Sequence, residues 1–200
     1  MGKAKISFWK FTPEICLMLF LIGFGVGVLA ANLLWEPYLQ QGNVLGIYIL
    51  FQLTKEELSG KEYFLYILKY RGGWILLCVL SSFSIWGAPL AVITLLLGGI
   101  FLGLLLALSI LQFGVLGMAS GVALFLPQGL CYLPVLVVFM GRLAQRSMGY
   151  WGKQGKISKT SKSSWIAMGT CLAGWLVGML LETYVNPVFL NFILDRINIF

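Results

Sequence analysis

The chain has 200 residues, of which 60% are hydrophobic and 10% charged; its mean hydropathy is +0.92 and its net charge +7. Soluble domains carry about 25% charged and about 45–50% apolar residues, so the composition excludes an ordinary water-soluble fold and makes the bilayer the natural solvent. The positive charge does not point to nucleic acid, because the bases cluster beside apolar runs, where Lys and Arg mark the cytoplasmic side of a membrane protein.

The first apolar run, 15–34, follows Lys3, Lys5 and Lys10. It is longer than the apolar region of a signal peptide, and Trp35-Glu36-Pro37 follows it instead of a small-residue cleavage site. It therefore reads as a retained span, with Pro13 at the helix start. The segment 36–71 mixes acids and bases and is expected outside the membrane, with a short interfacial helix near 43–53. Ser59-Gly60-Lys61-Glu62 is a capping-box pattern that starts a helix near 60 and leads it into the membrane. From 74 to 111 the chain is almost wholly apolar, too long for one crossing at 1.5 Å per residue. Trp86-Gly87-Ala88-Pro89 is the natural break, which gives spans near 72–86 and 89–111.

The fourth span is expected at 117–141. Pro127 and Pro134 interrupt it, and Gln128 and Gly129 sit between them; carbonyls freed by proline at membrane depth need other partners, so a broken or re-entrant helix is expected here. Arg142, Arg146, Lys153, Lys156, Lys159 and Lys162 then form a basic loop, 142–164, with no acid in it. The fifth span, 165–182, ends at Glu182-Thr183-Tyr184 before Asn186-Pro187, and a short interfacial helix is expected from 188 to 194. Five crossings place the amino terminus and the six-base loop inside and the carboxyl terminus outside, as the positive-inside rule requires. The expected fold is thus all-α: one polytopic membrane domain over 1–200 with five transmembrane helices.

Catalysis has little material. There is no histidine, the one aspartate, Asp195, lies in the tail, and no phosphate-binding glycine loop occurs. The cysteines are scattered through apolar runs, so neither a metal site nor a cofactor is expected. Glycine pairs four apart are more telling: Gly23/Gly27, Gly99/Gly103, Gly117/Gly121 and Gly174/Gly178. Each puts two small residues on one helix face, where another backbone can approach. Packing within one protomer is the first reading; a second copy, giving a homodimer, or another protein is the alternative. Glu182 reads as a hydrated carboxylate at the outer headgroup boundary beside Tyr184, with a proton or ion ligand as the alternative.

Three passages resemble the stage II sporulation protein M family of endospore-forming bacteria: Trp86-Gly87-Ala88-Pro89, Pro127-Gln128-Gly129 with Pro134, and Glu182-Thr183-Tyr184 with Pro187. Many relatives carry histidine where this chain has Gln128. The resemblance implies a non-catalytic membrane anchor at the sporulation septum, in the mother-cell membrane, during engulfment of the forespore. It also implies two peptidoglycan-degrading partners, a lytic transglycosylase and an amidase (stage II sporulation proteins D and P). A transporter or permease component with a path near 126–134 is the competing reading, and it predicts a polar cavity near Gln128.

Overall fold

The computed structural model describes residues 11–34, 60–126, 128–149, 162–185 and Val188. They form α1 (Pro13–Leu34), α2 (Gly60–Ser81), α3 (Gly87–Phe125), α4 (Gln128–Met148) and α5 (Lys162–Leu180), which runs on into a π-helical turn, Leu181–Val185. Five helices are long and apolar enough to cross a membrane, so this is a multi-pass membrane protein: Pro13–Leu34, Gly60–Ser81, Gly87–Gln112, Gln128–Met148 and Ile166–Val185.

α1 begins at Thr12-Pro13-Glu14. The Thr12 hydroxyl accepts from the Ile15 amide at 3.4 Å, proline occupies the first helical position, and Glu14 complements the amino-terminal dipole. The helix then lies along α3, its principal partner, with secondary contact to α4. Gly23 faces the backbone of Leu96 and Gly27 that of Ile100, while Gly99 and Gly103 face the α1 backbone at Phe20 and Phe24. A Cβ at any of the four would meet a backbone carbonyl oxygen of the facing helix. Lipid chains are as apolar as leucine, so helices associate in a bilayer through such close packing rather than through a hydrophobic difference.

The second span differs from the expected 72–86. One helix runs over Gly60–Ser81 and already includes Lys61, Glu62, Lys69 and Arg71, charges that placed 60–71 outside the membrane on sequence grounds. It stops at a serine cluster. The hydroxyls of Ser81, Ser82 and Ser84 donate to the carbonyls of Cys78, Val79 and Ser81 at 2.6–3.0 Å, giving the backbone local partners in place of further helix.

The fourth span differs as well. α3 continues to Phe125, bent at Gly114, whose φ of 62° and ψ of −139° suit only glycine. Beyond the bend the chain doubles back, so that Phe125 lines the same cavity as Leu105. The separation from α4 comes at extended Leu126 and at Pro127, which lies outside the described residues. The crossing therefore occupies Gln128–Met148 rather than 117–141, and it runs unbroken through Pro134, whose ring is exposed. The basic stretch shortens accordingly, since Arg142 and Arg146 belong to α4 and Lys162 opens α5. The interfacial helix expected at 43–53 and nearly all of that at 188–194 fall outside the described residues.

α4 is the most enclosed of the five spans and touches every other helix. Phe139, Met140, Leu143, Ala144 and Ser147 are fully covered. Its enclosure by protein shields Gln128 from lipid. At its carboxyl end the Gln145 side-chain amide donates to the Phe11 carbonyl, and the Arg146 guanidinium lies 4.1 Å from the centre of the Phe83 ring.

The same end explains Trp86-Gly87-Ala88-Pro89. Trp86 precedes the first turn of α3 and gives it no side-chain cap. Ser147 does so from α4: its hydroxyl accepts from the Ala88 amide at 2.9 Å and donates to the Ser84 carbonyl at 2.7 Å. A Cβ at Gly87 would fall 2.7–2.9 Å from Ser81, Ser82 and Ser147, so the approach requires glycine. Pro89 sits in the first turn, where its missing N–H costs nothing. Ser147→Ala orphans a buried amide and should lower stability by about 1–2 kcal/mol. Thermal denaturation of the purified protein in detergent checks this against Thr170→Ala, an exposed hydroxyl expected to change stability by less than about 0.5 kcal/mol.

Candidate functional site

At the opposite end of α4, three spans contribute one polar cluster. α5 widens into a π turn at Leu181–Val185, and the extra residue rotates Glu182 and Thr183 inward while Tyr184 and Val185 stay exposed. Thr183 secures the turn by donating to the Met179 carbonyl at 2.8 Å. Glu182, 5% exposed, accepts from Arg71 Nη2 on α2 at 2.7 Å through Oε1. Its Oε2 accepts from the Tyr132 hydroxyl on α4 at 2.9 Å. The Arg71 guanidinium also lies 4.7 Å from the centre of the Tyr132 ring, and that ring packs on Trp175 with centroids 4.8 Å apart.

This corrects the expectation of a hydrated Glu182. Its carboxylate is covered, and each oxygen has a donor. A charge in a membrane protein's interior requires such partners, because the desolvation of either ion alone costs several kcal/mol (about 2.5–3.5 kcal/mol at a span centre). Gly178 makes room for the arrangement: a Cβ there would fall 2.5 Å from the Tyr132 ring. Gly174 similarly admits Val135, with a Cβ separation of 2.6 Å.

Beside the cluster is a cavity of about 430 Å³, within the range of about 300–1,000 Å³ of small-molecule sites. Arg71, Gln128 and Tyr132 contribute its polar side. The rest is mainly apolar and includes Leu97, Phe101, Leu105, Leu133 and Leu136. Gln128 therefore does border a cavity, but not a predominantly polar one. Its neighbour Gly129 is packed against the Phe125 ring.

The sequence motifs thus divide between two ends of α4, 19 residues or about 28 Å apart from Gln128 to Ser147. Gly87 packs on Ser147, which caps the helix start that Trp86 precedes and Pro89 follows. Gln128 shares the cavity wall with Tyr132, Glu182 accepts the Tyr132 hydroxyl, Gly129 packs on Phe125, and Pro134 stands apart on the exposed face. Tyr184 packs against Gly60 at the start of α2. Pro187 and the surroundings of Gly117 and Gly121 lie outside the described residues. Arg71, Tyr132 and Trp175 were not singled out in the sequence. The sequence signal for the pair is an arginine just ahead of the expected second span and a glutamate at the end of the fifth, each with no opposite charge nearby on its own helix face.

No curated protein and no solved structure matches the chain. The family model of stage II sporulation protein M does, over residues 16–187, which takes in all five spans but for the first residues of α1. The motif residues at both ends of α4 fall inside that match, and the chain belongs to the stage II sporulation protein M family.

Proposed function

We propose that the protein is a non-catalytic membrane scaffold that anchors peptidoglycan-degrading enzymes, a lytic transglycosylase and an amidase, at the sporulation septum during engulfment. The amino terminus and the basic stretch after α4 face the cytoplasm, and residues 35–59 and the tail beyond the π turn face outward. The observation that carries this reading is the contact of Tyr184 with Gly60, where a Cβ would lie 3.0 Å from the Tyr184 ring. The two outward segments start from one place, and the Arg71–Glu182 pair holds their bases together. Two chain segments rooted side by side make a composite platform for partners that act on the wall.

The test is a gentle-detergent pull-down of tagged protein from sporulating cells, with partners identified by mass spectrometry. Both hydrolases should be recovered, and replacing 36–59 by a neutral linker should lose them while the helices stay intact. Recovery of neither hydrolase, even after crosslinking, overturns the reading. The cavity beside Gln128 favours a second reading, a transporter or permease component. Its largely apolar wall suits an amphiphile better than a hydrated solute.

A further inference from the structure

The cavity beside Tyr132 lies at the depth of the bilayer's hydrocarbon. Leu97 and Phe101 stand near the middle of the Gly87–Gln112 span, and Arg71 and Trp74 near the middle of Gly60–Ser81. Its rim is open: Trp74, Leu97 and Phe101 are 44%, 54% and 61% exposed. Its floor is closed, with Phe20, Thr94 and Tyr132 each more than nine-tenths buried. An exposed side chain halfway along a span faces lipid tails, so the cleft opens sideways into the membrane.

The polar groups on the wall are committed within the protein. Arg71 and Tyr132 are both bonded to Glu182, which meets the arginine's charge. The Thr94 hydroxyl donates to the Leu90 carbonyl at 2.8 Å, Gln128 is likewise engaged, and the Trp175 indole nitrogen is covered by protein. A space of about 430 Å³ is far larger than the voids that packed interiors leave, so it needs an occupant. Water would need about 2–4 polar partners at each molecule, and a hydrated solute would need more. A hydrocarbon chain needs none. It is also the medium at the mouth of the cleft, so it enters without shedding water.

We propose that the cavity holds one acyl chain of a bilayer lipid, which enters past Phe101 and reaches the floor at Phe20, without selection of the headgroup. The site is independent of the scaffold reading and would stand if no hydrolase were recovered.

The test uses the full-length protein in nanodiscs and two probes, a phosphatidylcholine and a phosphatidylglycerol, each with a photoreactive diazirine on one acyl chain. Labelled residues are mapped by mass spectrometry. Phe20, Thr94 and Tyr132 should be labelled, to the same extent by both probes; being buried, they meet a lipid chain only from within the cleft. Gly98 lines the cavity, and a Cβ there would lie 3.4 Å from Leu136 and 3.6 Å from Phe20. Gly98→Leu should therefore fill the cleft and lose the labelling of the floor. Gly25→Leu, at a position whose Cβ meets nothing within 4 Å, should keep it. With a photocrosslinking residue in place of Leu97, the adduct should be lipid. Three results overturn the proposal. The first is a floor left unlabelled while the lipid-facing Leu29 and Leu65 are labelled. The second is labelling by the anionic probe more than about fivefold above the zwitterionic one, the preference that an uncompensated arginine would give. The third is capture of a second copy of the chain, or of another protein, at position 97 in place of lipid. The first two are read on the unaltered protein, so a variant that fails to fold does not decide the matter.

Discussion

Arg71→Ala should lower the stability of the folded protein by about 3 kcal/mol, the lower end of the range for breaking a buried ion pair, because Arg71 is itself partly exposed. The loss comes chiefly from Glu182, whose covered carboxylate keeps one hydrogen bond from Tyr132 and loses its countercharge. Glu182→Ala should cost a similar amount for the converse reason, since it leaves a guanidinium among apolar helices. The two losses should not add. In the double variant Arg71→Ala with Glu182→Ala neither ion is left without its partner, and the loss should fall about 2 kcal/mol short of the sum of the two single losses. A double-mutant cycle on thermal denaturation in lipid nanodiscs reads this directly. Additive losses would mean that the two side chains do not depend on one another in the membrane.

The second large effect is expected where α1 meets α3. Gly27→Ala should destabilise by about 1–3 kcal/mol or more, because its Cβ meets the Ile100 backbone and the helices must separate to admit it. Gly99→Ala should do the same through the Phe20 backbone. Gly25 supplies the control on the same helix: nothing lies within 4 Å of its Cβ position, and alanine there should be neutral or stabilising by up to about 1 kcal/mol through helix propensity. Opposite signs at positions 25 and 27, measured by unfolding in detergent, would separate interhelical contact from helix propensity. Equal effects at the two positions would contradict the described contact.

What the sequence made legible follows from which physical signals are local. Apolar length is local, and it yields five spans. The Thr12-Pro13-Glu14 start is local too, since cap, proline and acid act within one turn of α1. The second span was misplaced because Lys69 and Arg71 look like loop charges until a partner on another helix is known; for Arg71 that partner is Glu182, 111 residues away. The sequence suggests a hydrated Glu182 because an ordinary α-helical ending before Asn186-Pro187 does not predict a π turn, and it is that turn which faces the carboxylate inward. The sequence places the fourth crossing too early because 117–125 is as apolar as a span. Only the backbone angle at Gly114 reveals that the chain doubles back there.

The preference of α1 for α3 over its immediate successor has a bearing on how the protein is made. When Gly27 has entered the bilayer, the helix carrying Gly99 has not yet been synthesised. At about 5–20 residues per second, several seconds of translation separate the two glycine faces. In that interval α2 arrives first and is not the partner that α1 uses. Until that third span is made, the glycine face of α1 lacks the partner it has in the folded protein. Assembly in the bilayer follows the order of contacts rather than the order of synthesis, and α1 docks on its main partner only once α3 has been made.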